Sequence, residues 1–477
     1  MAAGISLLIA LLELVFVMRA ILRPHRTPAS RIAWVVVIAV VPVLGVLVYV
    51  LFGETNIGRD RVFRALQIRE KLSQTSLPST PTNPIEEGIP DQYANLFRMA
   101  GSVNGFPIVS GNRGTLLSDT NETINSIIAD IDSATEFVHL LFYIWLVDEN
   151  GTKVMDALKR ASARGVICRV MVDGLGSRDL INTRHWDELR LAGVHTAVAL
   201  AIGNPFLRML FGRVDLRNHR KIVVIDHRIT YCGSQNCADA EFRVKPKYAP
   251  WVDAMIRFEG PIAWQNQFLF ACDWMTAVNE DLSALLMKRP PAGSGSTIAQ
   301  AIGTGPTFRY AAMPEMFVSL MHAAQQELVI TTPYYVPDES MQNALCAAAV
   351  RGVRTRVVFP ARNDSRIVAA ASESYYPELL KSGVEVYEYV GGLLHTKSLT
   401  IDGSIALIGS ANLDRRSFDL NYENNVLFFD ETLASELRQL QERYIAHSDP
   451  VTLEMIQEWS VAQRLWRNSV AMVGPIL

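Results

Sequence analysis

Two stretches of this 477-residue chain carry the same polar pattern in the same order. The first reads His219-Arg220-Lys221, then Asp226, then Gly233-Ser234-Gln235-Asn236. The second reads His395-Thr396-Lys397, then Asp402, then Gly409-Ser410-Ala411-Asn412. With nine His and nine Lys in the whole chain, one H-x-K-x4-D arrangement is expected by chance only about 0.01 times. Two, each trailed at the same distance by G-S-x-N, are far rarer. Each copy supplies an imidazole, an ammonium and neutral donors around one point. Two copies facing each other would place two imidazoles on opposite sides of a tetrahedral anion clasped by two lysines and two asparagines. Such a set suits in-line displacement at a phosphodiester without a metal. One imidazole attacks phosphorus; the other protonates the leaving alcohol and later deprotonates the incoming one. The lysines and asparagines stabilise charge on the non-bridging oxygens.

The elements that must position these groups are legible around them. Residues 222–225 and 399–401 are β-branched or apolar runs typical of buried strands, and a His and a Lys two apart share one face at the strand entry. The G-S-x-N segment closes the next strand. Upstream, the first copy predicts a helix over 121–134, a strand over 137–145, a helix over 151–164 and a strand over 166–172. The second predicts a helix over 315–326, a strand over 328–332, a helix over 339–351 and a strand over 353–359. The turn Arg164-Gly165-Val166 matches Arg351-Gly352-Val353, and Leu191-Ala192-Gly193-Val194 matches Leu380-Lys381-Ser382-Gly383-Val384. Strands alternating with helices at this spacing imply an α/β fold with helix-covered sheets, built twice.

H-x-K-x4-D followed by G-S-x-N resembles the HKD motif of the phospholipase D superfamily. Over nearly the whole chain the resemblance narrows to the bacterial cardiolipin synthases with two N-terminal spans. It rests on Leu51-Phe52-Gly53-Glu54, on Arg217-Asn218-His219-Arg220-Lys221, on the run from Thr332-Pro333-Tyr334-Tyr335 to Glu339, and on Asn412-Leu413-Asp414-Arg415-Arg416-Ser417-Phe418. Thr307, where the family pattern is acidic, departs from it at a local turn. The resemblance implies two pseudo-symmetric phospholipase D-like domains sharing one active site. His219, Lys221, Asp226, His395, Lys397 and Asp402 form the catalytic set, with His219 as nucleophile and His395 as general acid/base, although these two roles could be exchanged. Asp226 and Asp402 hold local structure rather than touch substrate. Asn236 and Asn412 clasp the phosphate with Ser234 and Ser410 in support, and Asp253 and Glu423 each bond a histidine Nδ1. It also implies reversible phosphatidyl transfer between two phosphatidylglycerol molecules, giving cardiolipin and glycerol through a phosphatidyl-histidine, with no cofactor. A phospholipase D hydrolase and a phosphatidylethanolamine-using transferase share the same residues.

Composition bounds the rest. Charged residues are 19% and the hydrophobic set 49%, which excludes wholesale disorder. A net charge of −3 argues against nucleic acid as partner. Five cysteines without a C-x-x-C pair indicate neither a disulfide framework nor a Cys-based zinc site. Residues 4–22 and 32–52 are apolar and each reaches the roughly 20 residues of a bilayer crossing, so a two-helix transmembrane hairpin is expected over 1–53. A linker follows over 54–95 with Pro78, Pro81, Pro84 and Pro90, then a first domain over 96–290 and a second over 291–477. The expected location is the bacterial plasma (inner) membrane, multi-pass. Arg23, Arg26 and Arg31 in the loop and Arg59, Arg61, Arg64, Arg69 and Lys71 beyond it give opposing signals for orientation; the larger flank favours a cytoplasmic body. Phosphatidylglycerol and cardiolipin are the expected partners, and a homo-oligomer is left open. Glu13 within the first span has no readable role. The apolar loop 206–211 around Arg208, and residues 455–473 with Trp459, Arg464, Trp466 and Arg467, read equally as interfacial elements or as packing on the body. Tyr334 and Tyr335 read first as core.

Overall fold

A computed structural model describes residues 2–54, 57–75, 87–201, 213, 215–288, 290 and 293–472. Pro78, Pro81, Pro84 and the apolar loop 206–211 lie outside the described residues. The chain divides into two compact units, residues 1–62 with 202–216 and residues 63–201 with 217–475.

The first unit begins with the 21-residue helix Ala2–Leu22, the one described helix long and apolar enough to cross a membrane. The second apolar segment is not one continuous span. It forms a 13-residue helix, Pro28–Val40, opened by Pro28 and by the Thr27 side chain, which accepts from the Ser30 N–H. It then breaks at Val41-Pro42-Val43 and resumes as Leu44–Val48 and a π turn over Tyr49–Gly53. The physical reason is Pro42. Its ring forces Val41 out of the helical region, to φ −123°, ψ 79°. The expectation of two complete crossings is therefore met by one long helix and a broken segment.

The second unit is mixed α/β. Its strands lie on one path, Ser448–Val451, Glu385–Tyr389, Arg354–Pro360, Glu327–Thr331, Ser398–Ile401, Ile405–Gly409, Asn421–Phe429 and Thr297–Thr304, continuing through Val109–Leu117, Met255–Glu259, Ile229–Gly233, Ile222–Ile225, Phe137–Phe142, Ile167–Asp173 and His195–Ala199. Read outwards from the antiparallel pair Thr297–Thr304 and Val109–Leu117, the two arms repeat each other. In each arm an HKD strand pairs antiparallel with the first strand of a parallel trio, Leu141 opposite Ile222 and Thr331 opposite Ser398. The helices of the repeat are Thr120–Ser133 and Glu149–Ala163 in one copy, and Ala312–Ala323 and Glu339–Val350 in the other. These lie within a few residues of the sequence expectation.

Burial explains the arrangement. The β-branched HKD strands are buried on both faces, as strands sandwiched between layers must be. The inner face of the first, Ile222 and Val224, joins the helices Ile262–Ala277 and Glu431–Ala446 in one apolar cluster that draws on both copies, whereas the inner face of the second is polar, with Thr400 donating to Gln441 Oε1 at 2.6 Å and Gln441 Nε2 donating to Ser398 at 3.0 Å. The outer faces pack under the repeat helices of their own copy. Within the expected linker Arg59–Thr75 is helical, and a second helix, Asp91–Asn104, runs across its expected end at 95; this second helix is bonded to the second copy through Tyr93 Oη to Asp402 at 2.9 Å. At the C-terminal end Trp459 packs on the body, whereas the helix Val461–Met472 buries Val470 and leaves Leu465 and Trp466 exposed.

Candidate active site

Both motif histidines sit at the mouths of buried strands, and both are placed by a short pairing with the other copy. Arg217–Asn218 pairs in parallel with Asn421–Tyr422, so the His219 N–H donates to the Tyr422 carbonyl at 2.9 Å. Leu393–Leu394 pairs in parallel with Trp251–Val252, so the His395 N–H donates to the Val252 carbonyl at 2.8 Å. On the partner strands the next residues are acids, Glu423 after Tyr422 and Asp253 after Val252. The side chains consequently pair crosswise. His219 Nδ1 meets the Glu423 oxygens at 2.9 and 3.1 Å, and His395 Nδ1 meets Asp253 Oδ1 at 2.6 Å. Each histidine is thus held by the carboxylate of the opposite copy.

A carboxylate only accepts, so this contact assigns the proton to Nδ1 and turns the Nε2 lone pair outward. Burial pulls both imidazoles down to about 4, with the carboxylates opposing and the lysines assisting. Burial alone would raise Asp253, but His395, Lys397 and Ser234 outweigh it and hold the carboxyl at about 2. Glu423 is likewise held below the usual carboxylate range, with His219, Lys221 and Ser410 overcoming burial. At neutral pH the pairs are neutral imidazole beside ionised carboxylate.

Lys221 and Lys397 lie on the same strand faces as their histidines, fully buried, and each donates to the carbonyl of its own histidine, at 2.8 and 2.6 Å. Burial lowers them to about 8 and about 7. The two lysines also feel the acids of both copies, which shows that the four basic groups share one electrostatic environment. Asn236 Oδ1 accepts the Ile144 N–H at 3.2 Å, which commits the oxygen edge and leaves the amide NH2 to donate. Asn412 Nδ2 donates to Ser417 Oγ at 3.1 Å, and its buried Oδ1 has no partner among the described residues.

The two serines are placed differently from the phosphate-supporting role read from the sequence. Ser234 Oγ donates to Asp253 at 2.6 Å and Ser410 Oγ to Glu423 at 2.5 Å, so each hydroxyl proton is committed to a histidine-orienting acid. Asp226 and Asp402, members of the motif's catalytic set, stand at the far end of their strands from the histidines. Asp226 accepts from the N–H groups of Thr135, Glu136 and Phe137 at 2.8–2.9 Å. Asp402 accepts from those of Gln325, Gln326 and Glu327 at 2.8–3.0 Å. Both tie the HKD strand to the start of the neighbouring strand.

Two wall residues escaped the sequence reading. Tyr143 lies edge-on to His219 at 4.8 Å, with Lys221 Nζ 5.4 Å from its ring. Trp251 lies 4.6 Å from His395 and is itself stacked on Phe242 at 3.9 Å. The available signal was position: Tyr143 directly follows the strand Phe137–Phe142 beside the first motif, and Trp251 stands two residues before Asp253. Tyr334 donates to Asp364 at 2.7 Å, and Lys245 of the first copy reaches the same carboxylate at 2.6 Å. Among the described residues no three His, Cys, Asp or Glu side chains gather as a metal site.

Comparison with known proteins agrees with this geometry. The family described as "Cardiolipin synthase, PLD-like domain" matches residues 127–246 and 317–445, and "Phospholipase_D-nuclease N-terminal" matches residues 7–54. Cardiolipin synthase A of Yersinia pseudotuberculosis serotype O:3 (strain YPIII) is 34% identical over 466 residues, 96% of this chain and 95% of that protein. Cardiolipin synthase A of Edwardsiella ictaluri (strain 93-146) is 35% identical over 469 residues, 94% and 92% of the two chains. The crystal structure of phosphatidylserine synthase from Haemophilus influenzae Rd KW20 shares the fold, with a TM-score of 0.60 at 16% identity over 80% of this chain and 100% of that one. Two intact HKD copies, cross-held histidines and near full-length identity converge, and the chain belongs to the bacterial cardiolipin synthases, phosphatidyltransferases of the phospholipase D superfamily.

Proposed function

We propose that this enzyme joins two phosphatidylglycerol molecules by a two-step exchange at phosphorus, carried by the crossed His219–Glu423 and His395–Asp253 pairs. A phosphodiester enters between Lys221 and Lys397, with the amide of Asn236 donating to its oxygens. His219 Nε2 attacks phosphorus while the bond to the glycerol oxygen breaks, and His395 gives that oxygen its proton. The phosphatidyl group is left on His219. The hydroxyl of a second phosphatidylglycerol then loses its proton to His395 and attacks, releasing His219 and forming cardiolipin. One phosphodiester replaces another, so the exchange needs no external energy source and runs in both directions.

In the empty site His395 is neutral, held down to about 4 chiefly by burial. A phosphate anion arriving against it favours the imidazolium, so the substrate charges its own acid. Walls such as Tyr143 and Trp251 reduce water near the phosphorus, which favours a lipid alcohol over hydrolysis. Both substrates and product are lipids of the bacterial inner membrane, and the catalytic body works from the cytoplasmic side.

The experiment is direct. The protein, purified in detergent, receives isotope-labelled phosphatidylglycerol in the presence of chelator, and the lipids are read by mass spectrometry. Cardiolipin with free glycerol, abolished separately by His219→Ala and His395→Ala, is the expected result. Phosphatidic acid alone would make the enzyme a hydrolase. Turnover only on addition of phosphatidylethanolamine would change the donor.

A further inference from the structure

Residues 32–52 are apolar throughout, yet the chain folds this segment back on itself. Beyond the break at Val41-Pro42-Val43, Gly45 lies so close to the first leg that a Cβ would stand 2.3 Å from the Val37 carbonyl oxygen. Tyr49 meets Trp34 edge to face at 5.3 Å, and Arg26 donates to the Gly53 carbonyl at 2.7 Å. Residue 45 is thus level with 37, 49 with 34, and 53 with 26. Glu54 closes the returning leg at the level where it began, bonded by Arg19 at 2.5 and 2.8 Å and by Tyr49 at 3.0 Å, with Arg23 at 3.5 Å. The turn satisfies its own amides through Gly45 N to Val41 O at 2.7 Å and Leu47 N to Val43 O at 3.0 Å, as a segment in hydrocarbon must.

Length decides what such a hairpin can do. A 13-residue leg rises about 20 Å, well short of a hydrocarbon core of about 30 Å, whereas the 21-residue Ala2–Leu22 rises about 32 Å. The hairpin packs on Phe16, Val17 and Ala20, in the last two turns of the long helix. Ile5, Leu7, Leu8, Leu11 and Leu12, nearer its start, are exposed.

We propose that Ala2–Leu22 crosses the bilayer once and that residues 28–53 form a re-entrant hairpin confined to one leaflet, so that the start of the long helix and the catalytic body lie on opposite sides. Sidedness follows from charge. Residues 1–18 hold no Lys or Arg. With two crossings, the arginines at 19–31 and the basic residues from Arg59 to Lys71 would face opposite sides and oppose each other. With one crossing they face the same side and add. The positive-inside rule then places that surface, and the body, in the cytoplasm.

Single cysteines test this in the full-length protein in bacterial spheroplasts, since the five native cysteines are buried. Ala3→Cys, Val41→Cys and the exposed Asp156→Cys are each treated with a membrane-impermeant maleimide before and after permeabilisation. Cardiolipin formation by each variant reports that it is assembled. The expected result is labelling of Ala3→Cys from outside, of Asp156→Cys only after permeabilisation, and of Val41→Cys in neither case. Labelling of Ala3→Cys and Asp156→Cys from the same side would restore two crossings and overturn the hairpin, and labelling of Val41→Cys from outside would put the turn at the far surface and overturn its confinement to one leaflet. The reverse pattern, with Asp156→Cys outside and Ala3→Cys inside, would overturn the assigned sidedness.

Discussion

Glu423 and Asp253 do their work on a histidine that belongs to the other copy, and their effect is on proton position rather than on substrate. Glu423→Gln keeps the shape but removes the charge that fixes the His219 tautomer. The expected loss is about 10²–10⁴-fold in kcat, by analogy with the acid of a hydrolase triad, with KM nearly unchanged and the folded structure retained. Steady-state kinetics on mixed micelles, with circular dichroism as control, measures it; Asp253→Asn should behave alike through His395. A pH profile gives a second residue-scale test. Lys397 and Lys221, lowered by burial to about 7 and about 8, lose charge as pH rises through that range, so kcat/KM should fall on the alkaline side from near pH 7–8. On the acid side it should fall towards pH 4, where the free imidazoles, at about 4, take up protons. A further consequence is proton uptake when a phosphodiester analogue binds, seen by calorimetry in buffers of different ionisation enthalpy.

At the scale of the elements, the motif aspartates separate stability from chemistry. Against the upward push of burial, the N–H groups of Thr135, Phe137 and Glu136 hold the Asp226 carboxyl below its ordinary range. This stabilisation is present above the unfolded carboxyl pKa of about 3.9 and is lost as pH falls through the lower folded value. Asp226→Asn, which tolerates the φ of +50° at this turn, should cost about 2 kcal/mol of stability. The folded variant should keep kcat within a few-fold, as read by thermal melts and turnover on the same sample. The same scale shows what sequence could and could not reveal. The repeat helices and strands were legible because their apolar periodicity and their Arg-Gly-Val turns are local. The serines' engagement with Asp253 and Glu423 was not, because it depends on which face of a later strand the acid occupies. The fold-back at Pro42 was hidden because hydropathy counts composition and not direction: 32–52 is apolar whether it runs straight or doubles back. Gly45 was the overlooked signal, and Gly45→Val should prevent the legs from closing. The expected outcome is less protein in total, with what remains still held in the membrane fraction by Ala2–Leu22, measured by immunoblot of separated membranes.

Across the whole molecule, the strands of the two copies form one path, and the guest pairings Arg217–Asn218 with Asn421–Tyr422 and Leu393–Leu394 with Trp251–Val252 lock the copies at the site. A chain ended before residue 421 lacks the strand Asn421–Phe429, which joins the hairpin of the second motif to the centre of the path. It should show no turnover and rapid digestion by protease, while a chain trimmed after Thr452 should retain activity, since the site residues all precede it. The doubling was readable from the repeated motif, but the exchange of acids between copies was not, because no local pattern encodes which copy a side chain will face. That exchange also has a meaning in time. A ribosome releases His219 long before Glu423, and during that interval the emerging nucleophile has no carboxylate to set its proton, although it lies beside a membrane full of phosphodiesters. Only when the last strands have been synthesised and docked does the imidazole become competent. The order of translation therefore leaves the proton of the first histidine unset until the strand that carries Glu423 has been made.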